Sequence, residues 1–153
     1  MARLRRHLYE QTVVAELHER IGRLRPDSER LWGKMNVAQA LAHCAGGMEN
    51  ALGDTVWPRH PLGRLIGRWA IRGFLVKGRP MGKGEPTHPS VMVKDTRDFD
   101  VERRRLTQAI DRFARGPQAC TKHPHFFFGP MTPADWAAFM YIHLDHHLRQ
   151  FNA

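Results

Sequence analysis

The chain of 153 residues contains 42% hydrophobic and 25% charged residues, a balance that excludes a disordered or fibrous protein and fits one domain over residues 1–153. No apolar run approaches the roughly 20 residues that span a bilayer, and charged residues follow the basic N-terminus where a signal peptide would be apolar. We therefore expect a cytoplasmic protein that does not associate with membranes. Two cysteines, Cys44 and Cys120, are too few for a disulfide framework and agree with that expectation.

A first amphipathic helix is predicted before Pro26, because a proline disfavours the helical conformation at the residue before it. Its apolar residues recur at steps of three and four positions, which is the spacing of one helix face. These residues are Leu4, Leu8, Val14, Leu17, Ile21 and Leu24. The opposite face, with Glu16, Glu19, Arg20 and Arg23, is predicted to be solvated.

A second helix is predicted from Asn36 to about Leu52. Asn36 can cap the free amides of the first turn, and Gln39, three residues later, can reach back to the backbone of Asn36. Gly46 and Gly47 lie inside this helix, each at a cost of about 1 kcal/mol in helix propensity relative to alanine. We expect close packing against another element, or space for a ligand, to offset that cost.

Three more helices are predicted in the rest of the chain. Apolar and basic residues at helical spacing indicate a short helix over residues 62–76, and another helix should begin near Asp100. The last helix has the clearest start, with Thr132 as the cap and Pro133 at the first helical position, and it continues to Phe151. The pattern favours an all-α four-helix bundle with a long insertion between the second and third helices of the bundle.

Histidines provide the main candidate site. His143 and His147 are four residues apart and therefore share one face of the last helix, whereas His146 points about 100° away from His147. A third candidate, His43, lies on the second helix. Three imidazoles from two helices could bind zinc, nickel or iron and leave coordination positions open. The alternatives are a surface histidine pair and a core histidine bonded to a backbone carbonyl.

Three segments together resemble the DinB/YfiT-like superfamily, in a branch known as a domain of unknown function. They are WGKMNVAQALAHC (residues 32–44), FGPMT (residues 128–132) with Trp136, and HLDHHLRQ (residues 143–150). The resemblance implies an up-down-down-up four-helix bundle. It also implies a divalent metal bound by His43, His143 and His147, with Gln150 and His146 beside the ligands.

The resemblance further implies a function, because characterised members of the superfamily include transferases that join low-molecular-weight thiols to electrophiles and a mycothiol-dependent isomerase. We therefore expect a metal-dependent thiol transferase that acts on a small-molecule substrate. The pocket is expected to contain residues from the helices and from the loops near its entrance: Met48, His88, His123, His125, Trp136, Phe139 and Met140. Cys44 is expected to be a buried, inert thiol, since its side chain points away from that of His43.

Other functions remain open at this level. A metal-water hydrolase is the second enzymatic reading, and a non-catalytic metal-binding stress or interaction protein is a third. Leu144 stands where an HExxH protease would have its glutamate, so that class is excluded. The net charge of +9 suggests nucleic-acid binding, through Arg59, Arg64, Arg68 and Arg72 or through residues 103–105, but no nucleic-acid motif accompanies it. Bundles of this kind often pair, which makes a homodimer a further expectation.

Overall fold

Five α-helices form the regular structure of residues 5–85 and 87–153, the part of the chain that this computed structural model describes. No β-strand occurs among these residues, which confirms the all-α prediction. The helices are α1 (Gln11–Arg23), α2 (Val37–Leu52), α3 (Pro61–Leu75), α4 (Phe99–Ala114) and α5 (Pro133–Gln150). Short 3-10 helices lie at Pro89–Val91 and Pro117–Ala119.

The two helices that carry the candidate histidines both begin with a capping box. In α2, the backbone amide of Gln39 donates to Asn36 Oδ1, and the backbone amide of Asn36 donates to Gln39 Oε1, each over 2.9 Å. In α5, Thr132 and Asp135 exchange the equivalent bonds over 3.1 Å. Each box satisfies two backbone amides at the helix start and so fixes the residue at which the helix begins. The predicted starts of both helices are confirmed.

The start of α1 differs from the prediction. The helix begins at Gln11, and Leu8 lies in a turn before it, where its side chain is fully buried. The Leu8 amide donates to the carbonyl of Ala137 in α5 over 3.3 Å, which attaches this turn to the last helix. The apolar spacing therefore predicted correctly that Leu8 is buried, but it predicted wrongly that Leu8 belongs to the helix. Leu4 lies outside the described residues.

One residue on the polar face of α1 is buried. Arg20 Nη1 donates to Asp145 Oδ1 over 2.8 Å, and Arg20 Nη2 donates to the carbonyl of Ala153 over 2.9 Å. The prediction of a fully solvated face was wrong at this position, because a charged partner on α5 compensates the guanidinium for its lost water.

The core lies between α2, α4 and α5, with α1 packed on α4 and α5. Its largest fully buried side chains come from all four of these helices and from the turn before α1. They are Leu8, Leu17, Ile21, Val37, Met48, Leu106, Ile110, Phe113, Trp136 and Leu144. Among the described residues, each helix is too short or too polar to cross a lipid bilayer.

The long connection between α2 and α4 contains α3, which contacts α5. Gly63 and Gly67 form the buried side of α3 and lie against the backbone of Phe127, so close that a β-carbon at either position would collide with the Phe127 carbonyl. The glycines thus let α3 approach the loop before α5, and Phe74 and Leu75 bury the end of the helix.

Candidate metal centre

A cavity of about 460 Å³ opens between α2, α3, α5 and the segments at residues 32–35, 79–85, 87–91 and 125–128. This volume lies in the range of about 300–1,000 Å³ that is usual for small-molecule sites. Its wall is mainly apolar, and nine tryptophan and phenylalanine side chains line it: Trp32, Trp57, Trp69, Phe74, Phe126, Phe127, Phe128, Trp136 and Phe139. The cavity therefore favours an apolar ligand.

Three histidines meet at one wall of the cavity. His43 comes from α2, and His143 and His147 come from successive turns of α5. One ligand nitrogen from each ring can be chosen so that all three lie within 4.8 Å of one another. The sequence spacing brought His143 and His147 to one face, and the packing of α2 on α5 adds His43.

A backbone carbonyl orients His43. Its Nδ1 lies 2.8 Å from the carbonyl oxygen of Val91, and only a protonated nitrogen can bond a carbonyl. The lone pair is therefore on Nε2, which faces Nε2 of His143 at 3.0 Å. Val91 reaches this position because Gly46 has no side chain. A β-carbon at Gly46 would lie only 2.7 Å from Val91 Cγ1. Sequence reasoning did not identify Val91, and Gly46 was the one signal of its approach.

A side-chain amide orients His147. Its Nδ1 is 2.9 Å from Gln150 Oε1, and Gln150 Nε2 donates to the carbonyl of Trp32 over 2.8 Å. The second bond shows which end of the amide is the oxygen, so His147 Nδ1 carries a proton and Nε2 carries the lone pair. Gln150 is buried, and it connects the ligand helix to the loop before α2.

His143 packs against the other glycine of α2. A β-carbon at Gly47 would lie 3.4 Å from His143 Cε1 and from Met140 Cε, so the imidazole lies directly against the backbone of α2 at this glycine. The Nδ1 atom of His143 is buried and has no hydrogen-bond partner among the described residues. The protein's own hydrogen bonds therefore do not satisfy the centre completely.

All three imidazoles are held in the neutral form. Burial lowers the pKa of His147 to about 3, and it lowers the pKa values of His43 and His143 as well, with the neighbouring histidines adding to the effect in each case. A neutral imidazole is the form that binds a metal ion. The residues present thus fit a divalent metal in their chemistry, their orientation and their protonation.

His146 lies beside the centre and is not part of it. Its partly buried ring lies 5.5 Å from the ring of Trp32 and 5.0 Å from the ring of His147, both measured between centroids. Burial lowers the pKa of His146 too. It lines the cavity, so it can contact a bound molecule without being a ligand.

The other expected pocket residues divide into two groups. Trp136, Phe139 and Met140 line the cavity together with His125. Three others lie elsewhere: Met48 is fully buried in the core, His88 stacks on Trp57 with ring centroids 4.6 Å apart, and His123 is exposed. Met48 differs from the expectation because its α2 face turns toward the packed interior.

His125 is a buried polar group in an aromatic setting. Its Nδ1 accepts hydrogen bonds from the amides of Phe127 and Phe128, over 3.2 and 3.1 Å, so Nε2 carries the proton. Its ring stacks on that of Phe128 at a centroid distance of 4.5 Å. Burial lowers the pKa of His125 to about 3, and the charge of Arg59 contributes. His125 thereby shapes the loop that carries three aromatic wall residues.

Neither cysteine can act as a nucleophile near neutral pH. Cys44 and Cys120 are both free and buried, and Cys44 lies in the core as expected. Burial raises the pKa of Cys44 well above its usual range and that of Cys120 to about 11. Both thiols therefore stay protonated.

One carboxylate lines the cavity among the described residues. Glu85 is held by Arg79 Nη2 over 3.0 Å and by the backbone amide of Gly82 over 3.2 Å. Both bonds end on its Oε1 atom, so this carboxylate is paired within its own loop.

The fold and the site define an all-α protein with a candidate three-histidine metal centre, consistent with the metal site of DinB-like proteins. The chain belongs to the family described as "Protein of unknown function (DUF1569)", whose model matches residues 3–153. No curated protein and no solved structure matches the chain significantly.

Proposed function

We propose that this protein is a divalent-metal-dependent enzyme with the DinB-like up-down-down-up arrangement, and that it transfers a low-molecular-weight thiol to a small electrophile. The observation that carries the proposal is the meeting of three neutral imidazoles at the wall of an apolar cavity. A centre with three protein ligands has room for a substrate atom, as catalytic zinc sites do.

His43, His143 and His147 would hold the metal, with zinc, nickel and iron as the candidates that imidazole ligands suit. The carbonyl of Val91 and the amide of Gln150 would keep two of the rings in the ligating tautomer. When bound, the ion supplies positive charge that favours the deprotonated form of a nearby thiol.

The aromatic wall would orient the reactants and exclude water. Trp136, Phe139 and Met140 lie on the same helix as two of the histidines, so an apolar electrophile packed on them is held close to the centre. A thiolate in such an environment loses little reactivity to hydration. Its sulfur would form the new bond to the electrophilic carbon while the bond from that carbon to the leaving group breaks. The leaving group would take the electron pair, and the proton of the thiol would pass to solvent.

Two observations favour an external thiol over an internal one and over water. The chain's own thiols are buried and protonated, so a nucleophilic thiol must be a cosubstrate. Activation of water usually relies on a general base, and the single carboxylate in the described cavity wall is already paired with Arg79. A thiol ionises near pH 8.5 without such help.

The metal content of the purified protein tests the first half of the proposal. We expect about one divalent ion per chain by elemental analysis, and loss of that ion in His147→Ala, because two imidazoles alone bind weakly. His123→Ala is the matched control, since His123 is exposed and lies outside the cavity. An unchanged metal content in His147→Ala would contradict the assigned ligands.

Turnover tests the second half. We expect saturable consumption of a low-molecular-weight thiol in the presence of an aryl halide or epoxide by the metal-loaded protein, lost in His147→Ala and retained in His123→Ala. Ester hydrolysis without thiol would instead assign the hydrolase reading. Stoichiometric metal with no turnover of either kind would assign a non-catalytic metal-binding protein.

A further inference from the structure

Helix α3 has a second apolar face that no other element of the described chain covers. Gly63 and Gly67 bury one side of the helix, and five large apolar residues on another side stay in solvent. Leu65 and Trp69 are 84% and 70% exposed. The other three are Leu62, Ile66 and Val76, which directly follows the helix, so residues 62–76 supply five of the nine large apolar side chains that are exposed in the described chain.

The same segment is strongly basic. No aspartate or glutamate occurs between Asp54 and Glu85, whereas seven lysines and arginines do. They are Arg59, Arg64, Arg68, Arg72, Lys77, Arg79 and Lys83. Three of these arginines are exposed and form no ion pair with any described residue: Arg64, Arg68 and Arg72. Successive residues of a helix are rotated by about 100° around its axis, and this rotation places the three arginines beside the apolar face. Residues 55–84 thus carry seven positive charges and no negative one, in a chain whose net charge is +9.

We propose that α3 docks on an anionic lipid surface, with its apolar face in the headgroup region and its arginines on the phosphates. An amphipathic helix with leucine and tryptophan on one side and arginine beside them is typical of interfacial membrane binding. Tryptophan prefers this interface, and each basic residue near anionic lipid adds to the attraction. From the sequence we expected no membrane association, and this proposal departs from that expectation.

Charge distinguishes lipid from a second copy of the chain. Two α3 faces packed on each other would bring two sets of unpaired arginines together in an environment of reduced dielectric, and no carboxylate in residues 55–84 is present to compensate. An anionic surface removes the same repulsion and binds the apolar residues as well.

Docking would also place the cavity at the lipid surface. Leu62, Ile66 and Trp69 belong both to the exposed face and to the lining of the cavity. An apolar molecule dissolved in the lipid could then enter the cavity without crossing water. The docking proposal does not depend on the metal centre, and its test needs no activity.

Vesicle co-sedimentation with the full chain tests the proposal. We expect the protein to sediment with vesicles of phosphatidylcholine mixed with phosphatidylglycerol and to stay in solution with phosphatidylcholine alone. Because salt screens surface charge, binding should weaken as the ionic strength rises above about 0.1 M. Equal binding to both kinds of vesicle, or binding to neither, would overturn the proposal.

Two pairs of variants separate α3 from the general surface. Leu65→Asp should lower the partition coefficient by about tenfold or more, and Val101→Asp, an exposed apolar position on α4, should leave it nearly unchanged. Arg64→Gln with Arg68→Gln should also lower it by about tenfold or more, compared with the exposed pair Arg104→Gln, on α4, and Arg115→Gln, directly after α4. Circular dichroism should show unchanged helix content in all four variants.

Equal losses in the α3 and α4 variants would overturn the proposal, since they would show binding through net charge alone. Light scattering provides the second decisive outcome. A wild-type dimer that becomes a monomer in Leu65→Asp would assign the face to self-association in place of lipid.

Discussion

The histidine centre and the exposed face of α3 differ in how their side chains are held: hydrogen bonds orient the first, and solvent surrounds the second. At the centre, two imidazoles have one nitrogen fixed by a hydrogen bond, from His43 to Val91 and from His147 to Gln150. On α3, the exposed apolar side chains and those of Arg64, Arg68 and Arg72 have no partner among the described residues that fixes them. The centre therefore requires exact positions and suits one ion, whereas the α3 face requires only exposure and charge and suits an extended surface.

The largest expected difference between the two regions is in what a side chain contributes to the free energy of unfolding. Replacing one tryptophan in each region tests this difference. Trp136 is 1% exposed and lies in the cavity wall, whereas Trp69 is 70% exposed on α3. Trp136→Ala should lower the free energy of unfolding by about 3–5 kcal/mol, because it removes a large buried side chain and leaves a cavity. Trp69→Ala should change it by less than about 0.5 kcal/mol. Urea denaturation measures both, and similar losses would contradict the assigned burial.

The orientation of the centre is tested next. Gln150→Leu removes the acceptor of His147 Nδ1 while keeping the side-chain size, so zinc affinity should fall by about 10–100-fold. Gln108→Leu, at an exposed position on α4, is the matched control and should leave the affinity unchanged. Competition with a chromophoric chelator measures both variants. If Gln150→Leu bound zinc as tightly as the wild type, the amide would have no role in holding His147.

Acid should affect the buried region before the surface. Burial lowers the pKa of His125 to about 3, whereas an unfolded histidine titrates near 6.5, so below that pH the unfolded chain binds more protons. The free energy of unfolding should therefore fall as the pH decreases, by about 2 kcal/mol at pH 5 from this residue alone. Denaturation at several pH values, with a chelator present, measures the slope. His125→Gln should flatten it, and His123→Gln at the exposed position should not.

The smallest expected effects come from two glycines of α3. Gly73 has open space around it apart from Arg79 Cδ at 3.9 Å, so Gly73→Ala should raise the free energy of unfolding by about 0.5–1 kcal/mol through helix propensity. Gly67→Ala should lower it, because the new β-carbon would meet the backbone carbonyl of Phe127. Thermal melts compare the two. A gain in both variants would show that α3 does not pack on that loop.

The helices could be predicted from the sequence because their signals are local. Capping boxes and apolar spacing act within a few residues, so the starts of α2 and α5 and the existence of α3 were found correctly. The start of α1 was missed because Leu8 is buried from a turn, and burial alone gives the same apolar pattern as a helix. Arg20 was misjudged because its partner Asp145 is 125 residues away.

The candidate site shows the same division. The spacing of His143 and His147 is a property of one helix, and it could be read directly. Val91 could not be found, because it contributes a backbone carbonyl, which every residue has, from the end of a 3-10 helix 48 residues beyond His43. Met48 was placed in the pocket because helical spacing gives the faces of α2 but not which face meets the cavity.

The sequence by itself determined an all-α chain, its helix caps and a pair of histidines on one face of α5. The tertiary structure decided that His43 joins them, that Gln150 and Val91 orient the rings, and that α3 leaves an apolar and basic face in solvent. The physical reason is range: caps and helical spacing depend on neighbours in the chain, whereas a metal centre and an uncovered surface depend on which distant segments pack together and which do not.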